Sequence, residues 1–341
     1  MQLEKKKKSC AVCGSKSLNL FLTKTPSDYN FYLKALCKDT NQNYAKLQKK
    51  IKKYKCKKCF SITHIPWFDR SFSNNFYNEI YGQHNYGWKN LYNFKNKNET
   101  VNHGNLFSDL YEIYKFKNYA EFKCPFSGFY FDIFLQENKN KVKKINEIVN
   151  QAFNKLKSRQ LAHLKKIPKK QKNIKKNIPT NNRFNKFFLD DESSLCWGSQ
   201  CISKSCNCKS IGKELFNYKK LSISDVENTS KFDFFGVFMT LDHFNDPLKK
   251  IIFGIQKSNV VLCHCHINPN LTLQHQFSFT KKFSSYLDKN KIFNLDITNY
   301  VIKDPKKNKG KNYLYNEMYL LISKEKKYIS KAKNYFFKKI R

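Results

Sequence analysis

Arginine and long apolar runs are both scarce in this chain of 341 residues. Only four arginines occur (Arg70, Arg159, Arg183 and Arg341), although lysine and arginine together number 65. Because arginine is favoured for bidentate contacts to bases and phosphates, its scarcity argues against sequence-specific nucleic-acid recognition. No apolar run approaches the roughly 20 residues of a membrane span. The basic start MQLEKKKKSC is not followed by the apolar segment of a secretory signal. We expect a cytoplasmic protein without a membrane span.

The formal net charge of +39 is spread along the whole chain. Cationic surfaces attract nucleic acids by releasing counterions, so one interpretation is a functional contact with a polyanion. The segment KKIPKKQKNIKKNIP at 165–179 is the strongest candidate for it. The other interpretation is compositional, since Lys, Asn, Ile, Phe and Tyr all have codons rich in A and T. The hydrophobic content of 40%, with 31 Phe and 20 Tyr, predicts a folded protein with a substantial core.

The twelve cysteines indicate metal binding or buried thiols rather than a disulfide framework. Two C-x2-C pairs, Cys10 with Cys13 and Cys56 with Cys59, can together complete a tetrahedral zinc site of four thiolates. Such a site leaves no open position for substrate, so we expect the zinc to be structural. Gly14 suits the left-handed turn after the first pair, and Cys37 is a further candidate ligand. The alternative is that the two pairs do not bind metal.

Apolar strand-like segments alternate with helical segments through the rest of the chain. The pattern predicts strands at 119–122, 184–189, 221–226, 231–241 and 259–267, and helices at 106–114, 129–135 and 248–255. This alternation is typical of an α/β, Rossmann-like domain with a mostly parallel sheet.

Polar residues follow four of the predicted strands. They are Cys124 to Gly128 after the first strand, Asp190 and Asp191 after the second, Asp225 at the end of the third, and Asp242 with His243 after the fourth. The carboxyl ends of parallel strands meet at one edge of a sheet, where such folds bind their ligands. The sequence therefore predicts a ligand pocket at this edge.

Several segments together carry a family resemblance. They are SCAVCGS and YKCKKCFSI around the cysteine pairs, YAEFKCPFSG at the first strand, FDFFGVFMTLDHFNDPLKKI, LQHQFSFTKKFSSYLDKNKIFNLDI and NEMYLLISK. The chain resembles class I S-adenosylmethionine-dependent methyltransferases with an N-terminal zinc-binding domain, a group that includes sugar C-methyltransferases. The resemblance implies a zinc-binding domain at 1–75, an aromatic connecting segment at 76–105, and a methyltransferase-like domain at 106–341. A basic insertion at about 138–182 interrupts the last of these, and NEMYLLISK corresponds to a terminal antiparallel strand.

The resemblance also implies site residues. Glu121 would face the methionine amine of the cofactor, and the turn with Cys124, Ser127 and Gly128 would approach its carboxypropyl part. Asp190 or Asp191 would accept hydrogen bonds from the ribose hydroxyls, and Asp225 would lie near the adenine amine. Asp242 and His243 would border the substrate, with His243 as the base and His275 as a second candidate.

The expected function is methyl transfer from S-adenosylmethionine to a small molecule, such as a nucleotide-linked sugar or another surface-polysaccharide precursor. The family's glycine-rich cofactor loop is reduced here to Gly128. Three alternatives therefore stay open: a methyltransferase acting on RNA or protein, a zinc-ribbon protein that binds nucleic acid, and an inactive methyltransferase relative.

Overall fold

The structure is a computed structural model. It describes residues 8–21, 33–34, 37, 41, 43–65, 103–122, 184–190, 219–227, 231–238, 241, 244, 246–267, 277–301 and 317–340. The predicted helix at 129–135, the connecting segment at 76–105 and the basic insertion at about 138–182 lie outside these residues, apart from the first residues of a helix at 103.

The described residues form eleven strands and seven helices. The strands are β1 (Leu18–Leu20), β2 (Lys52–Cys56), β3 (Ile62–Ile65), β4 (Asn118–Phe122), β5 (Asn185–Asp190), β6 (Lys219–Ser222), β7 (Phe232–Phe238), β8 (Ser258–His266), β9 (Phe277–Ser278), β10 (Phe293–Asp296) and β11 (Glu317–Ser323). The helices are α1 (Tyr44–Lys50), α2 (His103–Tyr114), α3 (Ile223–Glu227), α4 (Pro247–Lys257), α5 (Phe283–Lys289), α6 (Thr298–Val301) and α7 (Lys326–Ile340).

The larger sheet has seven strands in the order β10-β11-β8-β7-β4-β5-β6. Strands β4 to β8 are mutually parallel, and β11 lies antiparallel between β8 and β10. If the seven strands are numbered in chain order, with β4 as the first, their order in the sheet from the β6 edge is 3-2-1-4-5-7-6. The first five positions match the strand order of a doubly wound sheet. This confirms the α/β prediction and the antiparallel terminal strand. The direction of winding reverses between β4 and β7, the place where such sheets leave a ligand crevice.

Aromatic side chains cover both faces of the larger sheet. On one face, Phe107 of α2 packs against Tyr119, Phe234 and Phe238. On the other face, Phe253 of α4 packs against rings of β4 and β7. Alternating side chains of buried parallel strands point to opposite faces, so the apolar runs in the sequence fill both layers at once.

The smaller sheet has the order β1-β2-β3-β9 and is antiparallel throughout. Its last strand, β9, comes from the chain between β8 and α5. The backbone N–H of Phe279 and the hydroxyl of Ser278 both donate to the carbonyl of His266, at 3.2 Å each. The smaller sheet is therefore attached at the carboxyl end of β8. Its cysteines share one core cluster with side chains of the larger sheet.

Two predicted strand boundaries are wrong. The strand predicted at 221–226 ends at Ser222, because α3 begins at Ile223. The Ser222 hydroxyl accepts from the N–H of Asp225, and the Asp225 carboxylate accepts from the N–H of Ser222, a capping box that starts the helix. The strand predicted to reach 241 ends at Phe238, and the chain then turns so that Leu241 accepts from Phe244 at 3.3 Å. Both side chains are buried by this turn.

Among the helices that the structure describes, none is long and apolar enough to cross a membrane.

Candidate functional site

The four predicted zinc ligands lie together at the start of the smaller sheet. Their sulfur atoms all lie within 4.8 Å of one another, with Cys10 Sγ to Cys59 Sγ at 3.5 Å and Cys13 Sγ to Cys56 Sγ at 3.7 Å. A tetrahedral zinc ion with bonds of about 2.3 Å places its sulfurs roughly 3.8 Å apart. A disulfide requires about 2.04 Å. The spacing fits a shared metal ion rather than two disulfides.

Each cysteine pair closes a tight turn of the same design. Gly14 donates its N–H to the carbonyl of Cys10 at 2.9 Å, and Phe60 donates to Cys56 at 3.0 Å. Both residues have left-handed backbones, with φ of 71° for Gly14 and 63° for Phe60. The glycine was predicted to take this conformation, and the phenylalanine gives no such signal in the sequence. A left-handed conformation at a bulky residue persists only where its surroundings impose it.

Backbone N–H groups point at two of the sulfurs. Val12 N lies 3.4 Å from Cys10 Sγ, and Lys58 N lies 3.3 Å from Cys56 Sγ. Such donors favour thiolate over thiol. Hydrogen bonds among the four sulfurs, those with Cys10 first, lower the pKa of Cys13 to about 7 and lower the pKa of Cys56, while the same bonds raise the pKa of Cys10. The donor set, burial and turns therefore fit a zinc ion.

Cys37 is buried but does not belong to the four-sulfur group. Cys263 and Cys265 of β8 are also buried outside it, and burial raises the pKa of Cys263. The five remaining cysteines, at 124, 196, 201, 206 and 208, lie outside the described residues. Within the part of the chain that the structure describes, the four-cysteine group is the candidate metal site.

Glu121 lies one residue before the carboxyl end of β4 and is 2% exposed. Its Oε2 accepts a hydrogen bond from Tyr119 Oη at 2.5 Å. In the parallel register Glu121 lies opposite Gly236 of β7. A Cβ atom at Gly236 would lie 2.6 Å from Tyr119 Oη and 2.3 Å from Phe238 Cε2. Because Gly236 has no side chain, there is room for the Tyr119 hydroxyl to contact Glu121. This contact lies next to the place between β4 and β7 where the direction of winding reverses.

Acidic residues also lie at or just beyond the ends of the two neighbouring strands. Asp190 is the last residue of β5 and lies in register with Ser222, the last residue of β6. Asp225 follows three residues later in α3, where its hydrogen bonds with Ser222 lower the pKa of its carboxyl group. Asp225 is exposed, so it stays ionised at neutral pH while it caps the helix. Three adjacent parallel strands thus carry a carboxylate at or just beyond their carboxyl ends.

A buried polar group on the opposite side of the switch point was not predicted from the sequence. His264 Nε2 of β8 lies 3.0 Å from Glu317 Oε2 of β11, and Tyr319 Oη donates to the same oxygen at 3.2 Å. The rings of His264 and Tyr319 stack with centroids 4.2 Å apart. Because successive side chains of a strand point to opposite faces, His264 faces the side opposite to Cys263 and Cys265. No sequence signal joins His264 to a partner 53 residues away.

Six of the predicted site residues lie outside the described residues: Cys124, Ser127, Gly128, Asp191, Asp242 and His243. His275 is also outside them. The structure therefore brings together the four cysteines. It places Glu121 near the end of β4, Asp190 at the end of β5 and Asp225 in α3, directly after β6.

Comparisons with known proteins add little beyond these contacts. No family model and no curated protein sequence matches the chain. Seven solved chains match it, among them the structure of the plantazolicin methyltransferase BpumL in complex with SAH. The match has 11% sequence identity and a TM-score of 0.39, and it covers 74% of this chain and 94% of that one. Similarity at this TM-score is too low to assign an activity or to identify a site.

Proposed function

We propose that this protein binds S-adenosylmethionine at the carboxyl edge of its larger sheet and transfers the methyl group to an acceptor. The observation that carries the proposal is a row of three acidic residues at this edge, with Glu121 in β4, Asp190 at the end of β5 and Asp225 in α3, directly after β6. The cofactor offers an ammonium, two ribose hydroxyls and an adenine amine as hydrogen-bond donors. A set of three acceptors along one edge matches that chemistry.

Each of the three residues has a role within this proposal. Glu121 binds the ammonium, with its buried carboxylate held in place by Tyr119. Asp190 binds the ribose hydroxyls, and Asp225 lies beside the adenine while it caps α3. The bound cofactor supplies an activated methyl group on a sulfonium. The protein therefore needs mainly to hold the acceptor in line and, where required, to remove its proton.

We assign the proton acceptor to His243, as the sequence resemblance implies, with Asp242 beside it and with Cys124, Ser127, Gly128 and Asp191 completing the cofactor loop and ribose contacts. In the same proposal, residues 1–75 form the zinc-binding domain, residues 76–105 connect it to the rest, and residues 106–341 form the catalytic domain. The zinc ion is structural, because four thiolates fill its coordination.

The acceptor in this proposal is a small molecule, with a nucleotide-linked sugar as the specific candidate. This part rests on the resemblance to sugar C-methyltransferases alone, and a fold supports many acceptors. The acidic edge of β4, β5 and β6 carries the cofactor, so the acceptor binds on the β7 and β8 side of the switch point, where His264, Glu317 and Tyr319 are buried.

Calorimetric titration of the zinc-loaded protein with SAH tests the cofactor assignment. We expect micromolar binding in the wild type and at least a tenfold loss in Glu121→Gln and Asp190→Asn, since each removes one charge from the acceptor row. Asp233→Asn is the matched control. Asp233 accepts from Lys117 N and Asn118 N at 2.8 and 2.9 Å, so it lies at the opposite, amino-terminal edge of the same sheet. Equal loss in the control, or no loss in the first two, would refute the assignment.

A further inference from the structure

Two pairs of a tyrosine and a glutamate flank β7 and β8 in the larger sheet. Tyr119 donates to Glu121 at 2.5 Å in β4, and Tyr319 donates to Glu317 at 3.2 Å in β11. Glu317 lies in register with His266, the last residue of β8, so it is the member of its pair nearer the carboxyl edge, as Glu121 is. Each tyrosine therefore holds a buried glutamate toward the edge where parallel sheets bind their ligands.

The strand register places both pairs on the same face of the sheet. Tyr119 of β4 lies opposite Phe234 of β7, and four residues further along β7, Phe238 lies opposite His264 of β8. Tyr319 of β11 lies opposite the same histidine, and the two rings stack. Residues opposite one another across a ladder share a face, as do residues two apart in one strand. The two pairs and His264 therefore lie on the face against which α2 packs.

The buried charged groups of the larger sheet are concentrated at its carboxyl edge. Among the side chains that the structure describes in this sheet, four acidic, basic or histidine residues are buried: Glu121, Lys186, His264 and Glu317. All except Lys186, which lies near the start of β5, are close to the carboxyl edge. Because a buried ion pair is commonly no more stable than apolar side chains of similar volume, stability alone does not account for this placement. It indicates a role in binding.

We propose that His264 and Glu317 line the acceptor subsite and bind an acceptor that donates a hydrogen bond from an amine or hydroxyl group. This inference rests on the proposed function, which puts the cofactor ammonium at Glu121 and the acceptor on the β7 and β8 side. The carboxylate of Glu317 lies 3.0 Å from His264 Nε2 and fixes the orientation of the imidazole ring. The two residues position the acceptor, and His243 keeps its assigned role as proton acceptor.

The chemistry of the two groups sets the class of acceptor. An ionised carboxylate only accepts hydrogen bonds, and a neutral imidazole accepts through one ring nitrogen. A site built to accept hydrogen bonds rejects an analogue that lacks the donor much more strongly than an apolar pocket rejects an added hydroxyl. The subsite therefore selects an acceptor with O–H or N–H groups at or beside the reacting atom, as the hydroxyls of a sugar provide.

Sinefungin is the probe for this subsite. In this cofactor analogue a carbon bearing an amine replaces the sulfonium and its methyl group, so the amine occupies the place from which the methyl group is transferred. SAH has no group there. Because the amine is protonated at neutral pH, a carboxylate that faces this place strengthens the binding of sinefungin and not that of SAH. We expect the zinc-loaded wild type to bind sinefungin at least about tenfold more tightly than SAH.

Calorimetric titration of variants with both ligands tests the assignment. Glu317→Gln should reduce the preference for sinefungin to within about threefold, while its affinity for SAH changes by less than about threefold. Glu317→Asp keeps the charge but withdraws it by one methylene, and it should lose at least about threefold of the preference. The control Asp233→Asn removes a carboxylate at the amino-terminal edge and should keep the wild-type preference. Zinc content and circular dichroism verify that the variants are folded.

The outcomes separate this inference from the proposed function. If SAH binds but the wild type shows no preference for sinefungin, or the preference persists in Glu317→Gln, the inference is overturned and the cofactor site stands. Equal losses of both ligands in Glu317→Gln would mean that the carboxylate only supports the fold, which also overturns the inference. Binding of neither ligand by the folded wild type would refute the proposed function, and the inference with it.

Discussion

Replacing Gly236 with alanine probes the packing at the centre of the proposed site. The added methyl group would lie 2.3 Å from Phe238 Cε2 and 2.6 Å from Tyr119 Oη, so at least one of these side chains must move. Both are buried beneath α2, where Phe107 packs against their rings. Overpacking of this kind costs about 1 to 3 kcal/mol. We therefore expect the free energy of unfolding to fall by at least that much.

A second contribution comes from the hydrogen bond that the methyl group disturbs. Tyr119 Oη donates to the buried carboxylate of Glu121, and moving the hydroxyl weakens that bond. Loss of a donor to a buried charged group costs about 1 to 3 kcal/mol. Together the two contributions predict that Gly236→Ala destabilises the protein by about 2 to 6 kcal/mol.

The assay is urea unfolding of the zinc-loaded protein, followed by circular dichroism. Gly254→Ala is the matched control, because its Cβ would lie 3.1 Å from Val261 Cγ2 and the helix α4 favours alanine over glycine by about 1 kcal/mol. We expect this control to remain within about 1 kcal/mol of the wild type. In the double variant Tyr119→Phe with Gly236→Ala, the two losses should not add, because one clash disappears with the hydroxyl. A Gly236→Ala protein as stable as the wild type would refute the reasoning.

Three further predictions concern the four-cysteine unit. Gly14→Ala should lower the free energy of unfolding by about 1 kcal/mol through its left-handed φ alone, since nothing lies within 4 Å of the added Cβ. Urea unfolding should show a smaller loss for Gly14→Asn, and equal losses in the two variants would contradict this prediction. Metal analysis should find one zinc ion per chain in the wild type and in the control Cys37→Ser, and none in Cys56→Ser. Zinc retained in Cys56→Ser would contradict the assignment of Cys56 as a ligand. Burial lowers the pKa of His64 in the folded protein to about 3. As the pH falls, His64 is therefore protonated in the unfolded chain, near pH 6.5, before it is protonated in the folded protein. The free energy of unfolding consequently falls as the pH drops below about 6.5. Between pH 7 and 5 the wild type should lose about 2 kcal/mol more than His64→Gln, and parallel pH profiles would contradict the account.

Local sequence signals were sufficient for the parallel strands of the larger sheet and for the cysteine site. The apolar runs at β4, β5, β7 and β8 predicted a parallel sheet, and the spacing of two cysteine pairs predicted their convergence. These signals work because a buried strand needs a continuous apolar run and a C-x2-C turn positions both of its thiols toward one point.

Features that depend on distant partners could not be predicted. The two-residue strand β9 has no periodicity of its own, and it forms because Ile62 and Thr63 of β3 lie opposite it. His264 acquires its role from Glu317, 53 residues later in the chain. The end of β6 is a different case, because the S-x-x-D pattern from Ser222 to Asp225 is a local helix-start signal that was visible in the sequence.

The most direct test of the cofactor site is hydrogen exchange measured by mass spectrometry, with and without a saturating concentration of SAH. We predict that SAH slows exchange in peptides covering the ends of β4, β5 and β6 and the start of α3, while peptides covering β1 and β2 of the smaller sheet keep their rates. Protection confined to the smaller sheet, or no change in a folded, zinc-loaded sample, would contradict the proposal that the carboxylate row binds S-adenosylmethionine.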